Sequence, residues 1–159
     1  MTAGELMTRT FEVVHPDALI EHVAARPGIQ KSHIVYFGES LGTGIAARLA
    51  IEERPRALIL RSPFTSIAAV GQRHYPFLPV SWMLRHRFDS LALAPKVGAP
   101  LLCLVATQDR VIPAEHSRLL FQAWHGAKNW IEVPHSDHDS ISSESGYWHS
   151  IAEFLKTLR

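Results

Sequence analysis

Ile34-Val35-Tyr36-Phe37-Gly38-Glu39-Ser40-Leu41-Gly42-Thr43-Gly44 is an apolar run that breaks into Gly-x-Ser-x-Gly and continues into Ile45-Ala46-Ala47-Arg48-Leu49-Ala50. The β-branched and aromatic start predicts a strand and the Ala/Leu-rich end a helix, with a serine at the turn between them. This is the pattern of a nucleophile elbow, in which a sharp turn projects a serine out of a sheet. Residues two before and two after such a serine are expected to crowd each other, and glycines, Gly38 and Gly42, occupy both positions. The following helix would aim its free N–H groups, that of Leu41 first, at an oxyanion formed beside Ser40. The pentapeptide alone also fits a plain glycine-rich turn; the flanking strand and helix patterns favour the elbow.

A serine nucleophile needs a base, and the base needs an orienting acid. After an elbow the chain order is Ser, then Asp or Glu, then His. Leu101-Leu102-Cys103-Leu104-Val105 reads as a buried parallel strand and leads to Asp109. Trp130-Ile131-Glu132-Val133-Pro134 reads as another strand and leads to His135-Ser136-Asp137-His138-Asp139. Groups that act together in open α/β sheets gather beyond the carboxyl ends of the strands, so Ser40, Asp109 and a histidine of the last loop fall on one rim. Spacing allows either His135 or His138 as the base, and the pair beside Asp137 and Asp139 also has a metal-chelating reading. Asp89 is the other acid to weigh. It precedes a helical stretch, which suits an N-cap better than a strand-end acid.

The matching stretches are Tyr36 to Gly44, Arg61-Ser62-Pro63-Phe64-Thr65-Ser66, Arg87-Phe88-Asp89-Ser90-Leu91, Pro100 to Pro113 and His138-Asp139. On these residues the chain resembles the C-terminal part of an α/β-hydrolase. It is most similar to the branch containing depalmitoylases, lysophospholipid lipases and many unassigned bacterial serine hydrolases. The resemblance runs from about residue 16 to the end and implies Ser40 as nucleophile, Asp109 as acid and His138 as base. It further implies cleavage of a small-molecule ester or thioester through an acyl-enzyme, with no metal or organic cofactor. Two departures stand out. The family usually carries a glycine shortly before the acid, where this chain has Ala106-Thr107, and one directly before the base, where it has Asp137.

The expected fold is α/β: a partial α/β-hydrolase, with a reduced parallel sheet of about four strands flanked by helices. Helices are predicted over Pro16 to Arg26, Leu41 to Glu52, Ala114 to Trp124 and Gly146 to Leu158, and further strands over His33 to Phe37 and Ala57 to Leu60. Tyr147, Ile151, Phe154, Leu155 and Leu158 recur at helical spacing and read as core packing. Gly71 to Arg87 reads as an irregular aromatic and proline-rich insert with interleaved Arg and His. In the resembling family it lies over the active-site rim as a cap; a bland surface loop and a basic-aromatic patch for membrane or nucleic acid are the other readings.

At 159 residues, 47% hydrophobic and 19% charged, the chain is expected to be a single globular domain with a real core. A net charge of +1 gives no reason to expect a nucleic-acid partner. Cys103, the sole cysteine, excludes an intrachain disulfide and reads as a buried thiol. The first residues lack the apolar core of a secretory signal, no run approaches a membrane span, and cytoplasm is the expected location. Residues 1 to 15 do not encode the strands, or the His-Gly loop with its second oxyanion donor, that precede the elbow in the resembling family. An N-terminally truncated domain is therefore expected. The elbow strand would then be an open edge that invites self-association, and activity would be impaired. A non-catalytic remnant or interaction module is the alternative.

Overall fold

The computed structural model describes residues 27–84 and 88–158. The helix predicted over Pro16 to Arg26 lies outside them, as do residues 85–87 of the aromatic insert. Four strands form one fully parallel sheet in the order β1 (Val35–Glu39), β2 (Ala57–Arg61), β3 (Leu101–Ala106) and β4 (Lys128–Val133). Helix α1 (Leu41–Glu52) links β1 to β2. Three short helices, α2 (Ile67–His74), α3 (Val80–Met83) and α4 (Ser90–Leu93), lie between β2 and β3. Helix α5 (Ala114–Ala123) links β3 to β4, and α6 (Ser145–Thr157) closes the described chain.

The two central strands, β2 and β3, are buried along their whole length, so they read as continuous apolar runs and hide their period of two, whereas β1 and β4 at the edges carry exposed residues. Leu101, Cys103 and Val105 of β3 join Leu58 and Leu60 of β2 against Ala46, Ala47 and Ala50 of α1 and Leu120 of α5. Leu102, Leu104 and Ala106 face the other way, with Ile59 and Val133, onto Tyr147, Ile151 and Phe154 of α6. Leu155 and Leu158 pack at the margin of that second cluster, so the stripe read in the sequence is core packing. Cys103 is fully buried, which pushes its thiol well above the ordinary range.

Some boundaries move. Residues Lys31–His33 form a 3-10 turn, and the elbow strand begins at Val35 and runs through Gly38 and Glu39. Strand β4 starts two residues before Trp130, carried by its pairing with β3 from Leu101↔Lys128 onward. The insert over Gly71 to Arg87, expected to be irregular, instead holds the end of α2 and all of α3; α2 starts ahead of it, where Ser66 caps the helix by accepting from the Ala69 N–H. Asp89 caps α4 by accepting from the Ala92 N–H. Strand β1 pairs with β2 alone among the described residues, and Phe37 on it is 47% exposed. No helix among the described residues is long and apolar enough to cross a membrane.

Candidate active site

Ser40 stands between the end of β1 and the start of α1 with φ 49° and ψ −118°, a backbone conformation rare for a residue with a side chain. Three hydrogen bonds hold it there. The Ser40 N–H donates to the Arg61 carbonyl at 3.0 Å, tying the turn to β2. Its carbonyl accepts from the Thr43 N–H at 3.0 Å and from Thr43 Oγ1 at 2.7 Å, tying it to the first turn of α1. The glycine expectation holds on one side only. A Cβ on Gly38 would lie 2.8 Å from the Gly42 carbonyl oxygen, 2.9 Å from Thr43 Cα and 3.1 Å from Ala46 Cβ. A Cβ on Gly42 would meet nothing within 4 Å, so the crowding expected there is corrected. The strand carries Gly38 straight into the helix start, whereas Gly42 already sits on the helix and turns outward. Glu39, between Gly38 and Ser40, forms an ion pair with the buried Arg61 guanidinium of β2.

Asp109 lies on the loop after β3, its side chain fully buried, and each of its oxygens is doubly engaged. Oδ1 accepts from the Val111 N–H at 2.9 Å and the Ile112 N–H at 2.8 Å, which fixes the plane of the carboxylate. Oδ2 faces His138 Nδ1 at 2.8 Å and accepts from Ser62 Oγ, also at 2.8 Å. His138 Nε2 lies 3.0 Å from Ser40 Oγ. A carboxylate can only accept, so Nδ1 carries the proton and Nε2 is left to accept from the Ser40 hydroxyl. The fold thus brings Ser40, Asp109 and His138 from the ends of β1, β3 and β4 into one unbroken chain of hydrogen bonds. His135 is exposed, with φ 59°, and its backbone N–H is spent on Thr107 Oγ1 at 3.1 Å. No group of three His, Cys, Asp or Glu side chains among the described residues is placed to hold a metal ion.

The two departures from the family pattern have visible roles. Thr107 stitches the acid loop to the base loop by accepting from the His135 N–H, and the Gln108 N–H donates to the Ser136 carbonyl at 2.9 Å. Asp137 Oδ1 accepts from the N–H of Asp139 at 3.1 Å and from the N–H of Ser140 at 2.8 Å, closing a turn around His138. The Ser140 hydroxyl, which donates to the same oxygen at 2.7 Å, and then those backbone bonds hold the exposed Asp137 carboxyl below its ordinary range. A cavity of about 770 Å³ opens between these loops, lined by Asp109, Arg110, Val111, Asp137, His138 and their neighbours.

Ser62 is the site residue that sequence reading missed. It follows β2 directly, is wholly buried and takes φ 48°, and its hydroxyl reaches the same Asp109 oxygen that faces His138. Only its place inside Arg61-Ser62-Pro63, just past a strand's carboxyl end, hinted at this. That end of β2 is the same rim that carries the other three groups.

No family model matches the chain. An uncharacterized protein of Mycobacterium tuberculosis is 39% identical over 119 residues, 75% of this chain and 42% of the relative. The alpha/beta hydrolase domain-containing protein WAV2 of Arabidopsis thaliana is 28% identical over 160 residues, 87% of this chain and 52% of that protein. The chain therefore spans about half the length of the curated relatives it matches. Among solved structures, the acetyl xylan esterase from Paenibacillus sp. R4 matches with a TM-score of 0.71 at 18% identity, over 87% of this chain and 49% of that one.

Proposed function

The chain belongs to the α/β-hydrolase superfamily, and from that premise we propose that it is a serine hydrolase that cleaves a carboxylic ester or thioester through an acyl-enzyme. The observation that carries this reading is the relay Asp109–His138–Ser40, with hydrogen-bond contacts of 2.8 Å and 3.0 Å. His138 Nε2 takes the hydroxyl proton as Ser40 Oγ attacks the substrate carbonyl. Asp109 holds the imidazole in the tautomer that makes this transfer feasible and stabilises the imidazolium that results. The Leu41 N–H, at the start of α1, donates to the oxyanion. His138 then returns the proton to the leaving alcohol or thiol, freeing it and leaving the acyl group on Ser40 Oγ. Water repeats the cycle: it gives a proton to His138, attacks the acyl carbon and releases the acid, and Ser40 recovers its proton.

The apolar and aromatic run from Pro76 to Met83 follows His74, whose ring contacts the carbonyl of Val111 two residues past Asp109, and this supports uncharged acyl groups as substrates and the cap reading of residues 71–87. Release of p-nitrophenol from a short- to medium-chain ester series, followed from mildly acidic to mildly alkaline pH, tests the reading. Turnover is expected with uncharged acyl chains and is expected to fall on acidification, because a protonated His138 accepts nothing. A flat pH profile, or preference for a charged acyl group, would count against it.

A further inference from the structure

Helices α2 and α3 bury none of their residues, yet the segment that joins and includes them is rich in large apolar side chains. Phe77 is 96% exposed and Trp82 88%, and Tyr75, Leu78 and Met83 are exposed beside them. That is far more than the single apolar residues normally scattered over a surface. The segment is nonetheless a built object. Gly71 lets α2 and α3 meet, since a Cβ there would lie 2.8 Å from Val80 Cγ1. Gln72 Nε2 donates to the carbonyls of Tyr75 and Pro76 at 3.3 Å and 3.0 Å. Pro76 and Pro79 bracket Phe77-Leu78 and restrict the backbone on either side. His74 Nε2 contacts the Val111 carbonyl at 2.8 Å, which anchors the base of the tip two residues past Asp109.

The segment's own charge is one-sided, with Glu115 of α5 near its base. From Arg54 to Phe88 the sequence contains no Asp or Glu, although the chain has 15 of them in all. Arg73 stands exposed at the base of the tip, and Arg85 and Arg87 follow it in sequence. Aromatic side chains on a segment that carries the exposed Arg73 and no carboxylate of its own suit the headgroup boundary of a bilayer. Tyr and Trp prefer that depth, Phe and Leu reach below it, and Arg meets lipid phosphate and carboxylate. We propose that the tip formed by residues 73–83 docks on the surface of an anionic lipid bilayer and so turns the rim carrying Ser40, Asp109 and His138 toward lipid. The docking surface stands on its own observations and does not require that the rim be catalytic.

The test uses the full chain carrying Ser40→Ala, so that binding is measured without turnover and separately from any activity. Its co-sedimentation is compared on vesicles of phosphatidylcholine alone and of phosphatidylcholine mixed with phosphatidylserine. The expected result is stronger binding to the mixed vesicles that weakens as salt rises. Burial of a Phe or Trp side chain is worth roughly ten- to a hundredfold each, so Phe77→Ser with Trp82→Ser is expected to lower partitioning by at least about a hundredfold. Arg73→Glu is expected to weaken binding to the mixed vesicles only. Trp82→Phe should keep binding but remove a blue shift of tryptophan emission, and circular dichroism checks that every variant is folded. Absence of binding, equal binding to both vesicles, or binding indifferent to the Phe77 and Trp82 changes would overturn the proposal. So would a concentration-dependent dimer that the double substitution makes monomeric, because the tip would then be a protein interface.

Discussion

Gly38→Ala and Gly42→Ala change the same pentapeptide by the same methyl group and are expected to behave oppositely. At Gly38 the new carbon lands 2.8 Å from the Gly42 carbonyl oxygen and 2.9 Å from Thr43 Cα, well inside the 3.5–4.0 Å at which carbon contacts are comfortable. Both are backbone atoms of the first turn of α1, so no side chain can rotate aside, and relief requires α1 to slide away from β1. Overpacking of this kind costs about 1–3 kcal/mol. The slide also drags Ser40, whose carbonyl is bonded to Thr43, away from His138. A misplacement approaching 1 Å is worth about 10²-fold in rate. At Gly42 the methyl group enters open space within a helix, where Ala outranks Gly by up to about 1 kcal/mol. Urea unfolding followed by tryptophan fluorescence, with ester turnover per folded molecule, separates the two. Gly38→Ala should lose stability and most of its rate; Gly42→Ala should lose neither. Equal behaviour of the two variants, or greater damage at Gly42, would refute the one-sided crowding.

Ser62→Ala and Ser62→Gly should both lower kcat by about tenfold with KM little changed, since each removes one donor, worth about 1.5–3 kcal/mol, from the carboxylate that orients His138. Glycine also relieves φ 48°, so it should be the more stable variant, and a rate restored by glycine would mean that strain rather than the hydroxyl mattered. Burial, with Glu53 adding to it, raises the Tyr36 phenol from 10.0 to about 12, and burial does the same for Tyr147. The folded chain therefore favours the neutral phenols; their contribution is complete below pH 10.0 and is lost as pH rises toward about 12. Unfolding free energies should fall across that window, and less steeply in Tyr36→Phe. Among the described residues β1 pairs with β2 alone and carries the exposed Phe37, and this edge is proposed to pair with a second copy; light scattering over a dilution series should show self-association that Phe37→Lys reduces.

The elbow and the last helix were legible because each is a local pattern. The apolar run into Gly38-Glu39-Ser40 names its own turn, and the Tyr147–Ile151–Phe154 spacing names its own face. Asp109 was legible from its place after a buried strand, and Asp89 from its place before a short helix. Ser62 was not, because a serine before proline reads as an ordinary turn until β2 and β3 are laid side by side and its hydroxyl points at Asp109. Thr107 and Asp137 looked like losses of useful glycines; their value lies in bonds across two loops about thirty residues apart, or within a turn that only the folded base loop forms. The short helices of the insert were hidden by Pro76 and Pro79, which signal irregular chain although one ends a helix segment and the other opens one.

The most direct measurement concerns Ser40 itself. A fluorophosphonate reacts covalently with a serine that has a functioning base beside it and leaves ordinary hydroxyls untouched. The purified chain should gain one adduct, located at Ser40 by peptide mass spectrometry. Ser40→Ala should gain none, and His138→Ala should react far more slowly although Ser40 is still present. Equal labelling of the Ser40→Ala chain, or a folded wild-type chain left unlabelled while another serine hydrolase in the same tube is labelled, would contradict Ser40 as the nucleophile.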